Sequence, residues 1–309
     1  MKGVLIVCMS LVLGYLGSVD LRWLNEEIVG STTTAKVVQF YDLVGGVLMN
    51  DWYHYLFEER AMDVMIEECG FETGQRVVEV GPGSGFLADK ILRKVKEKNR
   101  NVDGSSAVET GKYFSYTGVD MSRTMHDISA QRLAPFLDDG VVNLHVVNDT
   151  FDFILSGLEN GSVDRFIFTY VLDLLPPNVI RGFANTIPEK MNHLNNAKVC
   201  IVNLTFGFSP LSRIVTNVWQ ILYQILGGGY VGGCRPIHAL DYFNILSETQ
   251  SDSTTSPSGA ITSKSGGVDE ECNMKKDATG SALYQLEFMT KTVSTGLPSE
   301  VLIVSRQNV

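Results

Sequence analysis

RVVEVGPGSGFL, residues 76–87, is the stretch that decides the fold of this chain. A short β-branched run ends in three closely spaced glycines and then passes into a helical pattern, which predicts a strand, a tight turn and a helix. Glycines at 81, 83 and 85 carry no Cβ, so a ligand can lie against the backbone where the turn enters the helix N-terminus. The stretch therefore predicts a pocket for a nucleotide-like ligand.

The spacing of the glycines indicates which kind of nucleotide fits. A dinucleotide fingerprint needs glycine at its sixth position, where this chain has the bulky Phe86. This disfavours NAD and FAD, and a nicotinamide oxidoreductase is the weaker interpretation. Glycine at the fifth position, with Glu79 two residues before the first glycine, suits a ligand that carries an amino-acid moiety and a ribose. The carboxylate of Glu79 is then expected to meet a cation.

This stretch resembles the first motif of the class I S-adenosylmethionine-dependent methyltransferases, which has the form acidic-x-Gly-x-Gly-x-Gly. Glu79, Gly81, Gly83 and Gly85 match it position for position, and Pro82 lies inside it. The resemblance implies that these five residues bind S-adenosylmethionine. It also implies an α/β fold, a doubly wound, Rossmann-like, seven-stranded sheet with a terminal antiparallel hairpin. The alternative is a glycine-rich turn without a ligand.

Composition limits the function further. With 309 residues, 44% of them hydrophobic, the chain is long enough for one large domain with additions. A formal net charge of −10 argues against a nucleic-acid partner, because such binding depends on clustered Lys and Arg. The five cysteines and five histidines are scattered singly, so the sequence predicts neither a metal site nor a disulfide framework.

A second predicted strand, 116–119, ends in Asp120-Met121-Ser122. Ser122 can cap the next helix, and Asp120 lies at the carboxyl edge of the strand, where an acid can accept hydrogen bonds from both ribose hydroxyls. The resemblance assigns Asp120 this role, with Met121 beside it in the cofactor site. Asp120 follows the glycine turn at about twice the roughly 20 residues usual in nucleotide-binding units, because a polar insertion separates them.

A third predicted strand, 141–147, meets Asn148-Asp149. In the methyltransferases that the chain resembles, an acid at this place contacts the adenine amino group. Asp149 is the first candidate for that contact and Asn148 the second. The alternative is an ordinary Asn/Asp turn after a strand.

A fourth predicted strand, 162–168, continues into a segment that contains VLDLLP, residues 171–176. This run resembles the fourth motif of the ubiquinone and menaquinone C-methyltransferases, where the strand end lines the methionine part of the cofactor. Thr169 and Tyr170 are therefore expected cofactor contacts. Asp173 is the one carboxylate on the segment, and it either orients or deprotonates an acceptor or caps the next helix.

The remaining chain predicts additions around one domain, 71–309. Residues 18–70 form a predicted helical lid, in which Tyr41-Asp42-Leu43 resembles the N-terminal segment of the same quinone group and makes Tyr41 a second catalytic candidate. Residues 248–281 contain almost no large apolar side chains, so they are predicted to be a disordered insertion. A terminal hairpin is predicted at 284–290 and 301–305.

Two apolar segments bear on location. Residues 1–17 resemble a hydrophobic leader or a short anchor, with 3–16 as the apolar run. Residues 211–226 form a helix that is apolar over most of its circumference, and it can pack on the core, grip a lipophilic acceptor or lie on a membrane surface. The sequence therefore predicts a cytoplasmic or membrane-associated protein, with the secretory pathway as the alternative.

Together these features predict an S-adenosylmethionine-dependent methyltransferase that modifies a small, hydrophobic acceptor at carbon or oxygen. Methyl transfer needs chiefly placement of the acceptor, and a base only where the acceptor must lose a proton. No metal is required. The alternative is a non-catalytic methyltransferase-fold protein that acts as a binding partner or scaffold at a membrane.

Overall fold

The computed structural model describes residues 34–48, 58–103, 114–192, 196–206, 209–226, 234–243, 271–276, 282–293 and 298–307. The predicted leader 1–17, residues 18–33 of the predicted lid and most of the segment 248–281 lie outside these ranges. In the predicted lid region the structure describes two helices.

The described helices are α1 (Thr34–Leu48), α2 (Glu59–Cys69), α3 (Phe86–Asp103), α4 (Arg123–Arg132), α5 (Ala134–Asp138), α6 (Thr150–Gly157), α7 (Pro177–Lys190), α8 (Pro210–Leu226) and α9 (Leu240–Phe243). A 3-10 helix covers Leu172–Leu174. The described strands are β1 (Arg76–Val80), β2 (Ser115–Asp120), β3 (Val142–Val146), β4 (Arg165–Thr169), β5 (Lys198–Leu204), β6 (Glu271–Lys276), β7 (Ala282–Val293) and β8 (Ser299–Gln307).

These strands form one mixed sheet in the order β3-β2-β1-β4-β5-β8-β7-β6. The first five strands are parallel, and β8 lies antiparallel between β5 and β7. The direction in which strands are added reverses between β1 and β4, which is where open α/β sheets bind their ligands. The predicted doubly wound α/β fold with a terminal antiparallel hairpin is confirmed.

The sheet has one strand more than the predicted seven. The prediction that 248–281 is without structure is wrong for Glu271–Lys276, which form the edge strand β6 against β7. An edge strand is held by backbone hydrogen bonds to one neighbour, so it needs few apolar side chains. Composition alone therefore missed it.

The core lies on both faces of β1, the central parallel strand. Val77 packs with residues of α2 and α3 on one face, and Val78 packs with residues of α7 and α9 on the other. A parallel sheet covered on both faces buries nearly all of its strand residues, which explains why the apolar runs of the sequence are continuous.

Cysteine spacing gave no indication of a disulfide, but the fold brings two cysteines together. Cys69 ends α2 and Cys200 lies in β5, and their sulfur atoms are bonded with a Cα–Cα distance of 6.2 Å. The two residues are 131 positions apart in sequence, so only tertiary packing makes them neighbours. The disulfide fastens α2 to the sheet.

One buried acid lies in this core, outside the glycine-turn region. Glu300 of β8 accepts hydrogen bonds at Oε2 from the Ala239 backbone N–H (2.7 Å) and from Asn203 Nδ2 (3.5 Å). Burial raises the pKa of Glu300 to about 7, against these two opposing hydrogen bonds. In the unfolded chain the same carboxyl ionises near 4.5. Its stabilising contribution is thus complete below pH 4.5 and is lost as the pH rises through about 7.

Between pH 4 and pH 8, we expect the free energy of unfolding to fall by about 3 kcal/mol less in Glu300→Gln than in the wild type, since glutamine cannot ionise. Urea unfolding at several pH values measures this. Glu67→Gln on the exposed face of α2 is the matched control and should leave the profile unchanged. Equal slopes for wild type and Glu300→Gln would show that Glu300 does not titrate in this range.

Candidate functional site

The candidate site lies at the carboxyl edge of the parallel strands, on either side of β1. Three backbone hydrogen bonds extend the strand pairing beyond the strands themselves: Gly81 N–H to Val119 O (2.8 Å), Tyr170 N–H to Val202 O (2.7 Å) and Val147 N–H to Asp120 O (2.9 Å). They hold the glycine turn beside the end of β2, the end of β3 beside Asp120, and the end of β4 beside β5. Predicted site residues from separate segments therefore share one edge.

The three glycines of the turn serve different purposes. Gly81, Gly83 and Gly85 all have positive φ, at 65°, 54° and 72°. A Cβ at 81 would lie 2.7 Å from Val171 Cγ2, and a Cβ at 85 would lie 2.7 Å from Ser129 Oγ. A Cβ at 83 would meet no atom within 4 Å. The positive φ favours glycine at all three positions, and packing also excludes a side chain at 81 and 85. Position 83 borders open space that a ligand can enter.

Asp120 lies against this open turn. Its Oδ1 accepts a hydrogen bond from the Ser122 backbone N–H at 2.8 Å, and its carboxylate also interacts with the backbone N–H groups of Gly83 and Met121. Burial raises the pKa of Asp120 to about 6, and these hydrogen bonds oppose the rise. The structure therefore brings Gly83, Asp120 and Met121 together, as predicted from sequence.

Glu79 is buried beneath the turn, with 1% of its surface exposed. It accepts a hydrogen bond at Oε2 from the Tyr116 hydroxyl. Burial raises the pKa of Glu79 to about 7; the Tyr116 hydrogen bond opposes the rise, and the nearby charge of Asp120 adds to it. Sequence reasoning missed Tyr116. The strand register explains the contact. Tyr116 of β2 is paired with Val77 of β1, which places its hydroxyl diagonally across from Glu79 on the same face of the sheet.

The residues that follow β3 are arranged as a helix cap. Asp149 Oδ1 accepts hydrogen bonds from Phe151 N–H (2.7 Å) and Asp152 N–H (3.3 Å), and so begins α6. Asn148 and Asp149 are both exposed. The observed contacts of Asp149 are thus those of an Asn/Asp turn that begins a helix. The predicted contact of Asp149 with an adenine ring stays a prediction.

The end of β4 is held in a strained conformation. Tyr170 has φ 51°, the left-handed region that residues other than glycine rarely adopt. Its backbone N–H is bonded to Val202 O, and its hydroxyl lies 2.7 Å from Ser299 Oγ. The neighbouring Thr169 Oγ1 is buried and has no hydrogen-bond partner. Strain of this kind persists only where the surrounding structure enforces it, and it concentrates at functional sites.

Asp173 lies in the 3-10 helix beyond Tyr170, with 1% of its surface exposed. Neither of its carboxylate oxygens accepts a hydrogen bond of regular geometry. Burial raises the pKa of Asp173 to about 7, against opposing effects from the Leu204 backbone N–H and the Arg235 guanidinium. The capping alternative is not observed, because α7 has Pro176 as its N-cap and no side-chain cap.

Tyr41 of α1 reaches the same region. Its hydroxyl lies 3.9 Å from Cys234 Sγ. The charge of Asp173 in turn contributes to a raised pKa for the Cys234 thiol, whose main cause is burial. The structure therefore brings the two catalytic candidates, Tyr41 and Asp173, near the same residue, Cys234.

Helix α1 is attached close to Asp120, the residue predicted to bind the ribose hydroxyls. Asp42 Oδ1 accepts hydrogen bonds from Ser122 Oγ (2.6 Å) and from Thr124 N–H (3.3 Å), and Thr124 Oγ1 donates to Asp42 O (3.1 Å). A Cβ at Gly45 would lie 2.4 Å from Met125 Cε, so the two helices are in direct contact. Asp42 thus helps to cap α4 from another helix, and sequence reasoning had given it no role.

Among the residues that the structure describes, no three His, Cys, Asp or Glu side chains are grouped so that they could hold a metal ion. None of the described helices is both long enough and apolar enough to cross a bilayer.

Comparison with known proteins gives a likeness of fold. No family model matches the chain. Ribosomal RNA small subunit methyltransferase A of Synechococcus sp. (strain CC9311) is 44% identical over 39 residues, which is 13% of this chain and 14% of that relative's length. The chain therefore spans a small fraction of the curated relative that it matches.

Among solved structures, phosphoethanolamine N-methyltransferase 1 of Haemonchus contortus is 9% identical, with a TM-score of 0.52, over 90% of this chain and 50% of that one. An S-adenosylmethionine-dependent methyltransferase from Aquifex aeolicus is 12% identical, with a TM-score of 0.42, over 89% and 99%. The pyocyanin biosynthetic protein PhzM is 14% identical, with a TM-score of 0.47, over 82% and 56%. The first likeness shows the α/β fold of S-adenosylmethionine-dependent methyltransferases. The closer resemblance to the quinone group stays a prediction.

Asp42 joins α1 to the first turn of α4, so we expect Asp42→Ala to weaken the attachment of α1 by about 1 kcal/mol, similar to the loss of a capping hydrogen bond. Hydrogen exchange in residues 34–48 should then be roughly fivefold faster. Gln39→Ala, at an exposed position of the same helix, is the control and should leave exchange unchanged. Unaltered exchange in Asp42→Ala would show that other contacts hold the helix in place.

Proposed function

We propose that the chain is an S-adenosylmethionine-dependent methyltransferase that acts on a small-molecule acceptor. One observation carries the proposal: the glycine turn is open at Gly83, and this opening is flanked by the buried carboxylate of Asp120. The positive φ of 54° already favours glycine at 83, and because a Cβ there would meet no atom within 4 Å, the same position leaves room for a ligand. The fold is consistent with this function, and the local chemistry of the turn is the stronger support.

The residues at the sheet edge fit the parts of this cofactor. The turn 81–85 offers backbone without a side chain at its three glycines, and Asp120 offers a carboxylate for ribose hydroxyls. Glu79 supplies negative charge beneath the turn, which suits a cationic ligand. Asp149 and Asn148 are the candidates for the adenine end. Thr169, with its unpartnered hydroxyl, and Tyr170 are those for the methionine end.

When bound, S-adenosylmethionine supplies a methyl group already activated by its sulfonium. The protein then has to place the acceptor and remove a proton where the acceptor carries one. Asp173 fits the second task, because a carboxylate with a pKa of about 7 is poised to take a proton near neutral pH. Tyr41 lies beside Cys234, and we assign it a role in positioning the acceptor.

The opening at Gly83 makes a sharp test possible, because the chain contains a matched glycine. Gly83 and Gly140 both have positive φ, and a Cβ at either would meet no atom within 4 Å. Alanine at either position should therefore cost a similar backbone strain, about 1 kcal/mol. Only Gly83 lies at the proposed cofactor site.

We expect Gly83→Ala to weaken S-adenosylmethionine binding about tenfold or more in calorimetric titration, with Gly140→Ala binding like the wild type. Parallel thermal unfolding checks that both variants are folded. Equal affinities for the two variants, or a wild type that does not bind, would overturn the proposed function. Binding without transfer to any acceptor would instead support the scaffold alternative.

We also expect affinity for S-adenosylmethionine to rise with pH. Glu79 and Asp120 have pKa values of about 7 and about 6, so both are protonated at low pH. Each must lose its proton before Glu79 can attract the cation and Asp120 can offer a carboxylate to the ribose hydroxyls. Calorimetry between pH 6 and pH 8 should show a rise of about tenfold in wild type. Glu79→Gln should flatten this rise, and Asp173→Asn should leave it intact. A rise that survives Glu79→Gln would remove Glu79 from the cation site.

A further inference from the structure

Helix α8 is amphipathic in the inverted sense. Its exposed side carries Leu211, Val215, Val218, Leu222 and Ile225. Its buried side carries Thr216, Asn217, Gln220 and Tyr223. A helix that served only to cover the core, or to grip an apolar molecule, would place its apolar side chains inward. The inner face of α8 is therefore suited to polar contacts.

One residue of this inner face has no partner. Gln220 is 2% exposed, and both its Nε2 and its Oε1 are buried without a hydrogen bond. A buried amide that makes no hydrogen bond is destabilising, so such groups are rare and call for an explanation. A bound molecule that pairs with the amide provides one.

The segment 234–238 connects this inner face to the candidate active site. On one side, Trp219 Nε1, next to Gln220, donates a hydrogen bond to Cys234 O at 2.9 Å. On the other side, the Arg235 backbone N–H donates to Asp173 O at 3.2 Å. Neither carboxylate oxygen of Asp173 accepts a hydrogen bond of regular geometry. One short segment is thus hydrogen-bonded both to the neighbour of Gln220 and to the backbone of Asp173.

We propose that the acceptor is a small polar molecule, with a hydroxyl or amine that meets Asp173 and a second hydrogen-bonding group that pairs with the amide of Gln220. This rests on the proposed function and names the substrate class of the same site. In the transfer, the acceptor's oxygen or nitrogen forms a bond to the methyl carbon. The carbon–sulfur bond breaks, its electron pair goes to sulfur, and Asp173 takes the acceptor's proton.

The same geometry bears on the lipophilic acceptor predicted from residues 211–226. That prediction depended on an apolar surface facing the acceptor. In the structure the most exposed apolar side chains of α8, Leu211 at 73% and Ile225 at 74%, face outward. The helix therefore gives no support to a lipophilic acceptor, and it favours a polar one.

The first arm of the test compares Gln220→Met with Gln224→Met, the same substitution at an exposed position one turn further along α8. Methionine has a similar length and no unpaired polar atoms. If Gln220 is kept for a ligand, Gln220→Met should raise the unfolding temperature of the ligand-free protein by roughly 2–4 °C and leave S-adenosylmethionine affinity unchanged. A lowered unfolding temperature, with Gln224→Met unchanged, would show that Gln220 is structural and would overturn the proposal.

The second arm follows the methyl group. The protein is incubated with methyl-tritiated S-adenosylmethionine and either a water-soluble metabolite extract or a chloroform-soluble lipid extract. Label should enter the aqueous extract and fall about tenfold or more with Gln220→Met, while Gln224→Met behaves like wild type. The polar acceptor is overturned if label enters only the lipid extract or if neither extract is labelled. It is also overturned if Gln220→Met transfers label to the aqueous extract as well as the wild type does. Failure of the proposed function is distinct, because the wild type would then not bind S-adenosylmethionine.

Discussion

The hydrogen bond from Gly81 N–H to Val119 O is the constraint on which the site depends. It continues the pairing of β1 and β2 by one residue into the glycine turn, so the turn cannot separate from the end of β2. Asp120 is thereby held where the Gly83 backbone can interact with it. Because parallel strands all end at the same edge, one such bond brings together residues that lie far apart in the sequence.

Burial of carboxylates is the main electrostatic feature of this edge. Glu79, Asp120 and Asp173 all have raised pKa values because burial disfavours their charged forms. Each of them weakens the folded state as the pH rises, and a core made for stability alone would have apolar residues there. Natural proteins accept such losses where a ligand later supplies the missing partner. A cationic cofactor and a proton-bearing acceptor are ligands of that kind.

Two helices outside the sheet complete the site in different ways. Helix α1 is fastened by Asp42 to the N-terminus of α4, directly after Asp120, so its position is coupled to the proposed ribose contact. Helix α8 turns polar residues inward and leaves Gln220 without a partner. The first helix is held by hydrogen bonds to α4, and the second carries the buried amide to which we assign a role in acceptor recognition. Between them lies Cys234, which contacts both Tyr41 and Trp219.

By itself the sequence determined the doubly wound α/β fold, the glycine turn and the acids at the strand ends, because strand periodicity and turn chemistry are local properties. Gly83 and Asp120, which the sequence assigned to one cofactor site, lie together in the structure. Only the tertiary structure decided that Tyr116 bonds Glu79, that Cys69 meets Cys200, and that β6 pairs at the edge. It also decided that α8 faces inward with its polar side. Each of these depends on which distant segments pack together, and long-range packing leaves no regular spacing in the chain.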